Sequence, residues 1–116
     1  MGIAVPDLTQ PILKNTNAIL AFTEEDARLS EPTACIKCGR CVAQCPFSLM
    51  PCEIEAAYER KDVEALAALK VNICMECGCC SYICPARRPL VQTNKLAKPM
   101  VMAYLKEKQE KEAAKK

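Results

Sequence analysis

The sequence predicts an all-α fold in which two metal-binding loops are joined by a helical hairpin. Two cysteine runs of identical spacing flank a linker that carries helical apolar periodicity without the alternation typical of strands. The runs are Cys35-x2-Cys38-x2-Cys41-x3-Cys45-Pro46 and Cys74-x2-Cys77-x2-Cys80-x3-Cys84-Pro85. The chain of 116 residues, with no Trp and few other aromatics, needs such cross-links to stabilise a small core.

Each cysteine run predicts a [4Fe-4S] cluster. Three cysteines spaced by two residues can surround one cubane on a tight loop, and the fourth, before proline, ligates the other cluster in two-cluster domains of this kind. We therefore expect the ligands to cross over between the runs. The first cluster is assigned to Cys35, Cys38, Cys41 and Cys84, and the second to Cys74, Cys77, Cys80 and Cys45.

Zinc and disulfide bonds are the alternatives for these cysteines. Four-cysteine zinc sites also use the C-x2-C step, but they usually bring two such steps together from separate turns. Disulfides are disfavoured in a reducing cytoplasm, and no secretory signal is visible at the start of the sequence. The doubled, proline-terminated pattern in a chain without histidine favours iron–sulfur clusters over both.

Residues 1–30 are interpreted as a lead-in segment. Ala18–Phe22 is a short apolar run that could form a strand, which gives the segment an irregular or β character. Thr23, with Asp26 three residues later, predicts the N-cap of a short helical turn.

Residues 31–93 are predicted to form the two-cluster domain. Pro51 suits the start of a first linker helix, Lys61-Asp62 is the expected break, and Asp62 can cap a second helix over Val63–Lys70. The apolar faces of these helices are interpreted as core. The linker therefore indicates an all-helical ferredoxin domain rather than the small β-rich bacterial ferredoxin fold.

Residues 94–116 are predicted to form a helical tail that begins at about Asn94, with a possible kink at Pro99. The mixture of Lys and Glu from Lys106 onward is typical of a solvated helix end rather than of a membrane-binding surface.

Two further cysteines and four cations lie near the runs in the sequence. Cys52 and Cys79 are expected to be buried small apolar residues rather than ligands. Positive charge near the cysteines would favour the reduced state of a cluster, which carries more negative charge, or it would help an acidic redox partner to dock. The alternative is that these residues are ordinary surface charges. These cations are Lys37, Arg40, Arg87 and Arg88. No acid–base constellation is apparent, so no catalytic residue is assigned.

Net charge and hydropathy limit the classes of partner. A formal charge of +2 is too small for a protein that mainly binds nucleic acid. The sequence contains no apolar stretch of the length needed to span a membrane, and we expect no transmembrane segment of its own.

The sequence resembles the ferredoxin-like C-terminal domain of the C subunit of the Rnf (Rsx) ion-translocating electron transport complex. The resemblance is carried by residues 31–51 and 74–92, which include both cysteine runs, the Leu49-Met50-Pro51 step and Arg88-Pro89-Leu90-Val91-Gln92. It extends to Pro11–Asn17, which is similar to the end of the preceding domain in that family.

The resemblance implies an electron carrier at the cytoplasmic face of the cell membrane. In that family the complex moves electrons between ferredoxin and NAD and couples this to sodium or proton transport. The implied ligands are the eight cysteines of the two runs, and the implied partners are the other subunits of the complex, with ferredoxin as a candidate redox partner. The family's flavin- and NADH-binding domain lies upstream of this part, so NADH and FMN binding are not transferred to this chain. An iron–sulfur subunit of another oxidoreductase, similar to heterodisulfide reductase or succinate dehydrogenase, is the alternative, as is a zinc-binding scaffold.

Overall fold

The computed structural model describes residues 5–113, and the chain divides into two units at Glu31–Pro32. In the first unit, α1 (Glu24–Ala27) begins as predicted, because the Thr23 hydroxyl accepts a hydrogen bond from the N–H of Asp26. The expected strand at Ala18–Phe22 is wrong: these residues are irregular and exposed, and no strand occurs within residues 5–113. An isolated extended segment has no second strand to complete its backbone hydrogen bonds.

The second unit is helical and holds the apolar core. Its elements are α2 (Arg40–Ala43), α3 (Pro51–Glu59), α4 (Val63–Ala68), a 3₁₀ turn (Val71–Ile73), α5 (Cys79–Ile83) and α6 (Leu90–Ala113). The long α6 packs against α3, α4 and the 3₁₀ turn. Ile54, Leu66 and Val101 are fully buried where these elements meet. A helical fold for this unit is thereby confirmed.

The helical hairpin between the cysteine runs follows the local sequence signals. Pro51 occupies the first turn of α3, where its missing N–H costs no helical hydrogen bond. Lys61 adopts a positive φ of 57°, and the Asp62 carboxylate then accepts a hydrogen bond of 2.9 Å from the N–H of Ala65. The second helix ends at Ala68 rather than Lys70, because Lys70 has the left-handed φ of 54° that starts the 3₁₀ turn.

Helix α6 begins earlier than predicted, at Leu90 rather than Asn94. Pro89 is suited to the position before the first helical turn, and its carbonyl accepts a hydrogen bond from the N–H of Thr93. The helix continues through Pro99, which has no N–H to donate to the carbonyl of Lys95. None of the helices within residues 5–113 combines the length and the apolar character needed to cross a membrane.

The second unit contains a sequence repeat whose period is the separation of Cys35 and Cys74. Left-handed residues recur at this spacing as Lys37 and Glu76, Gly39 and Gly78, and Ser48 and Arg87. The helices follow the same period, since α2 corresponds to α5, and α3, which starts at Pro51, corresponds to α6, which starts at Leu90. Both halves therefore share one backbone plan for the loop and the helix after it.

Candidate metal centre

Each cysteine run begins on an irregular loop and turns into a short helix. In the first run, Gly39 has a φ of 73° and precedes α2, which carries Cys41; in the second, Gly78 has a φ of 82° and precedes α5, which carries Cys80. These left-handed positions favour glycine, because a Cβ there is sterically unfavourable. The turn places the third cysteine of each run at the base of its loop, inside the fold, where both Cys41 and Cys80 are buried.

Packing brings cysteines of the two runs together. Helix α2 packs against α5, and Cys41, Cys80 and Leu90 form a buried apolar cluster that Cys84 also contacts. Cys45 packs instead with the main core, which contains Cys74. The fourth cysteine of each run thus lies with cysteines of the other run.

One pocket is lined by five cysteines, four of which belong to the two runs. It spans about 320 Å³ of space not filled by atoms, part of which is open to solvent. Cys45, Cys74, Cys77 and Cys80 line it together with Cys79. Leu49, Pro51 and Val91 contribute apolar wall. The four cysteines are those that the spacing assigns to the second cluster. Cys35 and Cys38 of the other predicted set lie on an exposed loop.

The spacing of the possible ligands differs from that of a single-ion site over the part of the chain that the structure describes. Within residues 5–113, no group of three or more Cys, Asp, Glu or His side chains lies close enough to hold one metal ion. A zinc ion binds four sulfurs at about 2.3 Å, which forces them close together.

The local environment shifts the pKa values of several thiols. Burial raises the pKa of Cys41 to about 11, with the neighbouring Cys52 thiol adding to the effect, and burial also raises the pKa of Cys80. Backbone hydrogen bonding from Cys79 lowers the pKa of Cys77, whereas the contact with Cys77 raises the pKa of Cys79. Because thiolate is the ligand form, metal binding must displace protons from the buried thiols.

The two cysteines outside the runs are less buried than expected. Cys52 is half-buried and packs against the cluster that contains Cys41. Cys79 is half-buried beside Cys77 and lines the pocket. The expectation of two buried small residues is therefore wrong, because both side chains reach the partly open surroundings of the predicted ligands.

Arg88 is a structural ion-pair residue rather than a free surface cation. Its guanidinium donates to Glu55 at 2.5 Å, to Glu59 at 2.9 Å and to the carbonyl of Thr33 at 3.3 Å. Hydrogen bonding to Glu55 raises the pKa of Arg88. By contrast, Lys37, Arg40 and Arg87 are exposed.

Sequence reasoning missed two α6 residues that contact the second run. Asn94 Nδ2 donates to Cys74 Sγ at 3.5 Å, and Lys98 Nζ donates to the carbonyl of Cys74 at 2.9 Å and to Glu76 at 3.1 Å. Lys98 follows Asn94 by one helical turn, so both lie on the same face. The sequence repeat is the signal that could have drawn attention to this face, since it pairs Asn94 with the helical residue Glu55.

Comparison with known proteins agrees with the cysteine pattern. The sequence pattern of the 4Fe-4S dicluster domain family matches residues 28–85, half of the chain. The chain belongs to this family. The match to the 4Fe-4S dicluster domain includes both cysteine runs and the α3–α4 hairpin between them.

The relatives of this member of the 4Fe-4S dicluster domain family confirm its resemblance to the C subunit of Rnf-type complexes. The C subunit of the ion-translocating oxidoreductase complex of Rhodobacter capsulatus is 39% identical over 98 residues, which are 84% of this chain and 19% of the relative. The C subunit of the Na(+)-translocating ferredoxin:NAD(+) oxidoreductase complex of Acetobacterium woodii is 41% identical over 103 residues, 89% of this chain and 23% of the relative. The chain thus spans about a fifth of the length of these relatives.

Proposed function

We propose that this chain is an electron-transfer module that holds two [4Fe-4S] clusters through crossed ligand sets. Cys35, Cys38, Cys41 and Cys84 would bind one cluster, and Cys74, Cys77, Cys80 and Cys45 the other. The clusters would supply reversible one-electron redox chemistry, and the chain would supply the ligands, the apolar surroundings and the hydrogen bonds. The proposal assigns no catalytic residue.

The observation that carries the proposal is the pocket lined by Cys45 from the first run and by Cys74, Cys77 and Cys80 from the second. Five thiols line this apolar space, and the four that belong to the two runs fit the donor set of a cubane. The packing of Cys84 with Cys41 supports the reciprocal arrangement for the other cluster. The names of the relatives support placement of the module in an electron-transfer complex.

By likeness to those relatives, the module would act within an Rnf-type complex. We propose that it lies on the cytoplasmic face of the cell membrane and contacts other subunits of the complex, with ferredoxin as a possible redox partner. The complex would move electrons between ferredoxin and NAD and couple this to ion transport. Residues 1–30, 31–93 and 94–116 are proposed as the lead-in, the cluster domain and the helical tail.

The test is the iron and acid-labile sulfide content of the anaerobically purified chain, with EPR after reduction by dithionite. We expect about eight irons and eight sulfides per chain, and signals from two interacting reduced clusters. Stoichiometric zinc without sulfide, after attempted cluster reconstitution, would contradict the proposal and leave a structural scaffold.

A further inference from the structure

Asn94 is a buried amide with an incomplete set of hydrogen bonds. Its side chain is 1% exposed, and its Oδ1 has no hydrogen-bond partner within residues 5–113. Its Nδ2 donates to the sulfur of Cys74 at 3.5 Å. A buried polar atom without a hydrogen-bond partner lowers stability. The packing of α6 alone therefore does not explain why this position is an asparagine.

The pocket explains why an amide is placed there. Asn94 lines the same apolar space as Cys45, Cys74, Cys77 and Cys80. A ligating thiolate carries negative charge and accepts hydrogen bonds without donating any. The amide must therefore present Nδ2 to the sulfur of Cys74, and in this orientation the buried Oδ1 has no hydrogen-bond partner within residues 5–113.

The equivalent position in the other half of the repeat is chemically different. Glu55 lies one repeat before Asn94 and is 5% exposed. Its carboxylate accepts a hydrogen bond from Arg88 and, when ionised, has no proton to donate to a sulfur. The two loops share a backbone plan, but only the second has an amide donor at this helical position.

We infer that Asn94 tunes the cluster held by Cys74, Cys77, Cys80 and Cys45 by raising its reduction potential. The inference rests on the proposed function. When one electron enters from a reductant, no covalent bond breaks, and the added negative charge is shared by the sulfurs. The hydrogen bond from Asn94 then strengthens and stabilises the reduced state more than the oxidised state. Asn94 is thus a positioning residue that makes the two clusters inequivalent.

The test is a mediated redox titration, followed by EPR, of the anaerobically purified full chain and its Asn94→Leu variant. Leucine has a similar size but no donor. We expect one of the two potentials to fall by the equivalent of about a tenfold change in the reduction equilibrium, or about 59 mV for one electron, and the other to stay unchanged. Because the variant also removes the unpartnered Oδ1, the cluster-loaded chain should not lose stability in urea.

Thr93→Val is the matched control. Thr93 is buried on the same helix, and its hydroxyl bonds to the carbonyl of Pro89 at 3.2 Å rather than to a sulfur. Both potentials of this variant should equal those of the unmodified chain. If Asn94→Leu prevents cluster loading, Asn94→Ala is the second donorless variant, and the same fall in one potential is expected.

Two results would overturn the inference. Unchanged potentials in a donorless variant that retains its iron and sulfide would show that Asn94 is only structural. An equal fall of both potentials would show a general change of solvation rather than a local hydrogen bond. Absence of iron and sulfide from the unmodified chain after reconstitution would be a different failure, because it would contradict the proposed function itself.

Discussion

At the residue scale, Arg88 connects three parts of the cluster domain. Its guanidinium binds the α3 residues Glu55 and Glu59 and the carbonyl of Thr33, which precedes the first cysteine run. Glu55 is buried, so its charge depends on this partner. The ion pair thereby holds the start of the first loop against α3 and against the segment that leads into α6.

Replacement of Arg88 by Gln should destabilise the chain strongly. The variant leaves the buried Glu55 carboxylate without its cation, and we expect a loss of about 3 kcal/mol in the free energy of unfolding. Anaerobic urea denaturation of the cluster-loaded chain, followed by circular dichroism, measures this. Arg87→Gln is the control, because Arg87 is exposed, and it should change stability by less than about 0.5 kcal/mol. Equal losses in the two variants would contradict the structural role of Arg88.

Residues whose role depends on local spacing can be predicted from the sequence, and residues whose partners are distant in sequence cannot. The sequence alone predicts the eight cysteines of the two runs as ligands, because their spacing is local and depends on the shape of one loop. It does not predict the pairs Arg88–Glu55 and Asn94–Cys74, because the partners in each pair are far apart in sequence and meet only through helix packing. Exposure of Cys52 and Cys79 likewise depends on neighbours that are distant in sequence.

At the element scale, the starts of both helices of the α3–α4 hairpin were predictable from the sequence, whereas the end of α4 and the start of α6 were not. Pro51 and Asp62 are local signals that mark helix starts wherever they pack. The predicted start of α6 at Asn94 is too late, because Thr93 looks like a polar residue outside a helix until its burial is known. The run Ala18–Phe22 has the composition of a strand but lacks the neighbour that a strand requires.

The cap of α4 provides a prediction about the hairpin. Asp62→Ala removes the acceptor for the N–H of Ala65 and should lower the free energy of unfolding by about 1 kcal/mol. Asp62→Asn keeps an oxygen that can accept this hydrogen bond and should lose much less. Urea denaturation of the two variants makes the comparison. A loss of the same size in both would mean that the charge of Asp62, rather than its capping bond, stabilises the hairpin.

At the scale of the whole molecule, crossed ligation predicts which cysteines act together. Cys45 is assigned to the same cluster as Cys77 and to a different cluster from Cys38. The double variant Cys45→Ser/Cys77→Ser should therefore damage one cluster and retain about four irons, whereas Cys45→Ser/Cys38→Ser should damage both and retain few. Iron and sulfide analysis after identical anaerobic reconstitution provides the measurement.

The single variants complete this comparison. Cys45→Ser, Cys77→Ser and Cys38→Ser should each affect one cluster, so each should retain at least about four irons. If each run instead held its own cluster, the two double variants would exchange their results, and the Cys45/Cys38 pair would retain the four irons. That outcome would contradict crossed ligation while leaving two clusters in place.

The sequence repeat has a practical consequence for interpreting such variants. Positions 55 and 94, and positions 59 and 98, occupy matching places on α3 and α6 but carry different side chains. Glu59 and Lys98 are even opposite in charge, and each forms an ion pair of its own. Exchanging the side chains of matching positions tests how each side chain behaves in the same backbone setting. Each half of the repeat can therefore serve as the control for the other.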